Sequence, residues 1–521
     1  MESGQQSKGL QAGSVGLIGA VVIGLSCIAP AYTLSGGLGP TVSAVGEHMP
    51  AIFLVSFIPM LLVALGYKEL NEDMPDSGTT FTWVTRAFGP VMGWLGGWGL
   101  LAATILVLSN LAGIGVDFFY LLLAQLCHKP QLAQLSDNTA INIATCFVFM
   151  ALATLISYRG VDTTKTVQFI LVSFQVVALV LFGAMALWRV HRGEAFDPTP
   201  ISLQWFNPFG VSSFSAFAAG VSLSVFIYWG WDVVLTLSEE TKGTHATPGK
   251  AATVTIVVIV VLYQFVAISA LSFSGTSTGE FGLGNADIQE NIFAALATPV
   301  MGPAAILISL TVLVSCAASL QSTIIGPART MLAMGFYGAL PKRFAHISPR
   351  YQSPGFATIA ATSISFLFYA VMRVVSEAAL WDTITALGMM VCFYYGITAF
   401  ACVWYFRNHA FDSLKHSVTR FFAPLIGGTL LLIFFIQTSY DSMDPSYGSG
   451  SQIFGVSLVF ILGMTVLGSG VIVMLITRWK SPEFFRSQTL CKATPASPLT
   501  RIDAHQPLEP EHSNNSQLLD F

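Results

Sequence analysis

Apolar residues do not alternate along this chain. They come in twelve runs, near residues 14–38, 50–67, 90–126, 140–158, 166–188, 213–239, 251–274, 302–334, 355–373, 380–406, 418–440 and 452–477. Most are close to the ~20 residues that carry a helix across a ~30 Å hydrocarbon core. The period-two alternation over ~10 residues that marks a membrane β-barrel strand is missing. The pattern predicts an all-α polytopic membrane protein with about twelve transmembrane helices. The third and eighth runs are too long for a perpendicular crossing, so they predict tilt or extension beyond the bilayer.

Composition agrees. Only 10% of the residues are charged and 54% are hydrophobic, against ~25% charged in an average soluble domain. Such a chain cannot cover a water-facing surface, and the lipid bilayer is its predicted solvent. Charge position then sets orientation. With the N-terminus in the cytoplasm, only Lys129, Arg189, Arg192 and Arg373 of the 23 Lys and Arg fall outside. Both termini are therefore expected to be cytoplasmic, in a multi-pass protein of the plasma membrane. No run of like charge points to nucleic acid. No His, Cys and acid residues cluster at metal-ligand spacing, so neither a metal site nor a cofactor is expected.

The runs divide the chain. Residues 1–13 form a cytoplasmic N-terminal segment. Blocks 14–190 and 213–406 hold five runs each, 418–477 holds two more, and 478–521 is a polar, proline-bearing tail expected to be disordered. Five is odd, so the second block enters from the opposite side. That is the arithmetic of a five-plus-five inverted repeat, whose solute site lies at the interface of the repeats.

Broken helices are the cheapest source of polar groups in mid-membrane. The first span carries Gly24 and Ser26, with Pro30 opposed to the carbonyl of Ser26. The sixth carries Gly230 between Trp229 and Trp231, followed by Asp232. Both lie near the midplane, so helices 1 and 6 are expected to be discontinuous. The outer half of helix 1, starting near Cys27–Ile28, would aim N–H groups at the centre. The outer half of helix 6, ending near Phe226–Ile227, would aim carbonyls there. Together they complement a carboxylate and an ammonium. Asp232 is expected to stabilise the start of the inner half of helix 6. Glu239, Glu240 and Lys242 are expected in gating or loop ion pairs.

At these residues the chain resembles the amino acid–polyamine–organocation permease family, over roughly residues 14–480. The similarity rests on IYWGWDVVLTLSEETK in the sixth span, KELNEDMPDSGTTFTWVTRAFGPVMGWLGGW after the second, and ARTMLAMGFYGALPKRF after the eighth. The resemblance implies substrate contacts from Gly24, Leu25, Ser26, Cys27 and Ile28 and from Phe226, Ile227, Tyr228, Trp229 and Gly230. The basic residue that some proton-coupled members carry in helix 5 falls on Gln175, and a neutral Gln cannot relay a proton. Sodium, bound in related folds between helices 1 and 8, would find oxygens at Ser315 and Ser319. The coupling ion is thus H+ or Na+. The expectation is a secondary active transporter and not an enzyme, moving a small neutral amino acid by alternating access. Polyamine or organic-cation transport and a substrate-sensing receptor are the alternatives, and the oligomeric state stays open.

Overall fold

The computed structural model describes residues 7–160, 165–375 and 379–494, and the apolar runs are helical. Ten stretches are long and apolar enough to cross a membrane. Two features reconcile ten with twelve runs. The first stretch, Leu17–Asp73, is 57 residues, about 85 Å of helix at ~1.5 Å per residue and hence two crossings. It comprises α1 (Leu17–Ile28), α2 (Pro30–Val45) and α3 (Met49–Asp73), with a turn at Gly46–His48. The other feature is the sixth run, whose helix is interrupted and so too short to qualify alone.

The first block continues with α4 (Thr80–Phe88), α5 (Pro90–Cys127), α6 (Thr139–Tyr158) and α7 (Lys165–Arg192). The second holds α8 (Phe214–Ile227), α9 (Val233–Thr236), α10 (Thr247–Ser274), α11 (Ile292–Met301), α12 (Ile306–Thr323), α13 (Ile325–Phe336), α14 (Gly355–Val375) and α15 (Ala379–Phe406). Each block opens with a broken helix. Each also inserts a short helix between its second and third spans, α4 in one and α11 in the other. Corresponding members pack together: α2 on α8, α3 on α10 and α5 on α12. Beyond the blocks, α16 (Leu414–His416) runs through a π turn into α17 (Ala423–Asp441), and α18 (Leu458–Lys480) follows. α17 lies on α15 and α3, and α18 on α15 and α5.

Three segments differ from the sequence reading. The loop 275–300 ends in α11, and the twelfth span begins at Leu458, after a hairpin of β1 (Gln452–Ile453) and β2 (Val456–Ser457). The tail is ordered as far as it is described. In α19 (Pro482–Phe485) the Phe484 ring stacks on Phe81 with centroids 5.3 Å apart, and beyond it Leu490 is buried. Thr489 Oγ1 donates to the Tyr337 carbonyl at 2.6 Å, and Arg86 donates to the Lys492 carbonyl at 3.0 Å. A few apolar side chains anchor this stretch, although its average composition is polar. Residues 495–521 lie outside the described residues.

Candidate functional site

Pro30 has no N–H to give, and its ring opposes a continuing helix. α1 accordingly stops at Ile28, Ala29 turns left-handed (φ 56°), and Pro30 opens α2. Here the sequence reading needs a correction: Gly24, Leu25, Ser26, Cys27 and Ile28 all belong to the last turns of α1, and the break falls just after them. Gly24 is a packing position. A Cβ there would come within 2.8 Å of Thr255 Oγ1 on α10. Leu25 and Ile28 are buried in the core.

The second break lies where the sequence put it. α8 ends at Ile227, and residues 228–232 turn before the single turn of α9. Gly230 has φ 109°, a conformation closed to most L side chains, and its missing Cβ would sit 3.1 Å from the carbonyl carbon of Cys27. Glycine therefore lets the two breaks touch. Tyr263 of α10 fastens them: its hydroxyl donates to the Ile227 carbonyl at 3.0 Å and meets Thr33 Oγ1 of α2 at 2.5 Å. Phe226 stands edge-on to Tyr32, with centroids 6.1 Å apart.

The aromatic residues divide. Tyr228 donates to the Phe53 carbonyl at 3.0 Å and so is turned towards α3. Trp229 Nε1 donates to the Tyr394 hydroxyl at 2.6 Å, and Trp231 stacks on Tyr395. The Asp232 carboxylate caps no helix N–H, contrary to expectation. It accepts from Tyr395 at 2.8 Å and from Tyr394 at 3.2 Å. A one-turn α9 offers little dipole to cap, whereas two tyrosine hydroxyls satisfy the buried acid directly.

Behind the first break runs a polar seam between α1 and α12. Ser319 Oγ donates to the Cys27 carbonyl at 2.9 Å, and Cys27 Sγ lies 3.4 Å from Thr323 Oγ1. Ser26 Oγ donates to Gln168 Oε1 at 2.6 Å and lies 3.1 Å from Ser322 Oγ. Of the two predicted serines, Ser319 joins this seam, while Ser315 accepts from the Tyr32 N–H at 3.4 Å. Ser322, Thr323 and Gln168 were missed, although the spacing Ser315, Ser319, Ser322 already marks one polar face. Gln168, not Gln175, is the α7 side chain that reaches the seam. Gln175 is buried two turns away, and its amide has no hydrogen-bond partner among the described residues.

An ion-pair lock ties the N-terminal segment to the chain beyond α3 and α9, on one side of the bundle. Lys8 is buried, its Nζ 2.6 Å from Asp76 and 2.7 Å from Glu239. Tyr337 donates to Asp76 at 2.7 Å, and Arg329 grips both oxygens of Glu240 at 2.5 and 2.9 Å. Val15 pairs with Thr241 as a short parallel bridge, its carbonyl accepting from the Lys242 N–H at 2.7 Å. Burial pushes the Lys8 ammonium down, but Asp76 and Glu239 outweigh it and hold it above its ordinary value. Burial likewise pushes the Asp76 carboxyl up, and Lys8 with the neighbouring hydroxyls draws it below the usual range. Glu239 and Glu240 are thus in ion pairs, as expected. Of their partners, Arg329 lies in the eighth run and its ARTMLAMGF motif, whereas Lys8 lies in the N-terminal segment, which no span pattern singled out. Residues 482–494 close over the same side, called the terminal face below.

Two interrupted helices meeting inside a bundle, with one approach locked, define a membrane transporter of small solutes. Over residues 14–476 the chain matches the amino acid permease family; it belongs to that family, whose members are permeases and not enzymes. Among its relatives, the branched-chain amino acid permease BcaP of Bacillus subtilis is 24% identical over 68% of this chain and 73% of its own. The low-affinity putrescine importer PlaP of Escherichia coli is 23% identical over 82% of this chain and 89% of its own. The crystal structure of MhsT in complex with L-phenylalanine shares the fold. Its TM-score is 0.56 at 16% identity, over 80% of this chain and 98% of that one.

Proposed function

We infer that the protein carries neutral, zwitterionic amino acids across the plasma membrane by alternating access, with the terminal face in the cytoplasm. The observation that carries this reading is the pair of opposed helix ends. The N-terminus of α2 at Pro30 favours a carboxylate, and the C-terminus of α8 at Ile227 favours an ammonium. Asp232 has each oxygen engaged by a tyrosine hydroxyl, so a cationic group would have to compete with these hydroxyls for it. Similarity to a putrescine importer favours a second reading, an organic cation, which would have to draw Asp232 away from Tyr394 and Tyr395. For coupling, the Cys27 carbonyl with Ser319 and Thr323 supplies the oxygen chemistry of a sodium site. A proton is the alternative, and it would need Asp232 because Gln168 and Gln175 do not titrate.

Purified protein in liposomes tests this. Uptake of a labelled neutral amino acid should follow an imposed sodium gradient and be displaced by unlabelled neutral amino acids. Uptake of diamines that neutral amino acids do not displace would overturn the substrate assignment. A response to a proton gradient alone would overturn the sodium assignment.

A further inference from the structure

α6 crosses the membrane in 20 residues, about 30 Å and hence one hydrocarbon core. It does not seat flush against its neighbours. Between α5, α6 and α12 lies a cavity of about 340 Å³. Its walls are apolar, with Phe119 and Phe149 on one side and Leu313 and Leu320 on the other, and Gln321 brings a carboxamide to it. Its flank is open to the membrane, since Leu152 and Ile156 on the rim are 53% and 43% exposed. The α6 residues that line it, Phe149 to Ile156, lie between about 14 and 3 Å from the helix end at Tyr158. That end is on the terminal face: the Tyr158 carbonyl accepts from Ser353, and Gly9 approaches Ile347 in the same loop. At this depth the surroundings are acyl chains and not water. Immediately past Tyr158 the exposed Arg159 sits where the phosphates of that leaflet begin.

We propose that this cavity is a binding site for one acyl chain of an anionic phospholipid from the leaflet at the terminal face, with the lipid phosphate on Arg159. The volume suits one chain and not two, since it equals only about eleven water-sized groups at roughly 30 Å³ each. The lined stretch of α12 gives the site a bearing on transport. Cys316, Ala317, Leu320 and Gln321 face the cavity. Ser319, Ser322 and Thr323, interleaved with them, hold the end of α1. A chain in the cavity therefore backs the helix that carries the polar seam.

The test needs no knowledge of the transported solute. Full-length protein in lipid nanodiscs is photolysed with a trace of phosphatidylglycerol carrying a mid-chain diazirine, and the adducts are mapped by mass spectrometry. The expected result is adducts on 149–156 and 313–321 that excess unlabelled phosphatidylglycerol suppresses, at least about tenfold denser than on the lipid-facing stretch 471–476 of α18. Ala153→Trp, which fills the cavity, and the milder Ala317→Leu should each cut these adducts about tenfold at an unchanged melting temperature. Arg159→Gln should cut them several-fold. Even labelling along α6, α14 and α18 would mean annular lipid only and would overturn the site. So would undiminished adducts in folded Ala153→Trp and Ala317→Leu variants. Insensitivity to Arg159→Gln would overturn the assigned phosphate contact.

Discussion

Removing the Lys8 ammonium tests the lock most directly. In Lys8→Ala the carboxylates of Asp76 and Glu239 stay buried without their cation. Breaking a buried ion pair from one side costs about 3–5 kcal/mol. The lower end applies here, because Asp76 keeps its bonds from Tyr337, Thr82 and the Gly78 N–H, and Glu239 keeps the Ser77 N–H. Opening the terminal face returns both acids to water, so the cost falls on the closed state. A shift of about 3 kcal/mol raises the open population roughly 150-fold. The reporter is Cys27, buried in the last turn of α1 beside the first break. In a variant whose other six cysteines are replaced, a water-soluble maleimide added on the terminal face should label Cys27 roughly 100-fold faster without Lys8. The pH dependence has a definite sign. Lys8 is held above its ordinary 10.5, so its contribution is complete below that pH and fades as pH rises through the raised value. Asp76 is held below its ordinary 3.8, so its contribution is complete above that pH and fades as pH falls through the lowered value. The thiolate is the reacting species, so rates are divided at each pH by that of the same protein opened in denaturant; on that scale the parent should label slowly and evenly between about pH 5 and 9, whereas labelling of Lys8→Ala should slow in acid as its stranded carboxylates protonate. A labelling rate within about twofold of the parent would refute the lock.

Gly230→Ala forces a side chain into φ 109° and against Cys27. It should cost about 1–3 kcal/mol, lowering the melting temperature and abolishing uptake; normal uptake would separate the two breaks from the site. Asp232→Asn keeps a polar group against Tyr394 and Tyr395 while removing the charge. It should leave uptake of a neutral amino acid within about threefold of the parent, whereas an organic-cation carrier would lose its transport; uptake by the variant decides between them. Phe484→Ala vacates the stack on Phe81 and should destabilise the folded protein by about 3 kcal/mol, read as a lower melting temperature in detergent. An unchanged melting temperature would show that this segment contributes nothing to stability.

Span positions were legible because the bilayer enforces one length on every apolar run, and the sixth-span break because Gly230 between tryptophans interrupts such a run. The first break was placed too early. Gly24 and Ser26 are good helix members when tightly packed, and Pro30 acts through the residue before it. Gln168, which reaches the seam, lies seven residues before Gln175, the position that the resemblance pointed to. Seven residues are nearly two turns, so the two glutamines share a face of α7 and differ in height. α4 and α11 were missed because short helices inside connecting segments leave no span-length signal. Lys8 was missed because its partners are 68 and 231 residues away, a pairing that no local pattern encodes.

The docking of residues 482–494 has a consequence for biosynthesis. Phe81, Trp94 and the Tyr337 carbonyl receive their covering from Phe484, Phe485 and Thr489, which leave the ribosome after every span has been made. A nascent chain stopped at residue 480 would hold all its membrane helices yet show bare aromatic surface on the terminal face. Residues 482–494 thus act as a completion mark. Their absence exposes the kind of apolar patch that chaperones and proteases bind, and their arrival hides it.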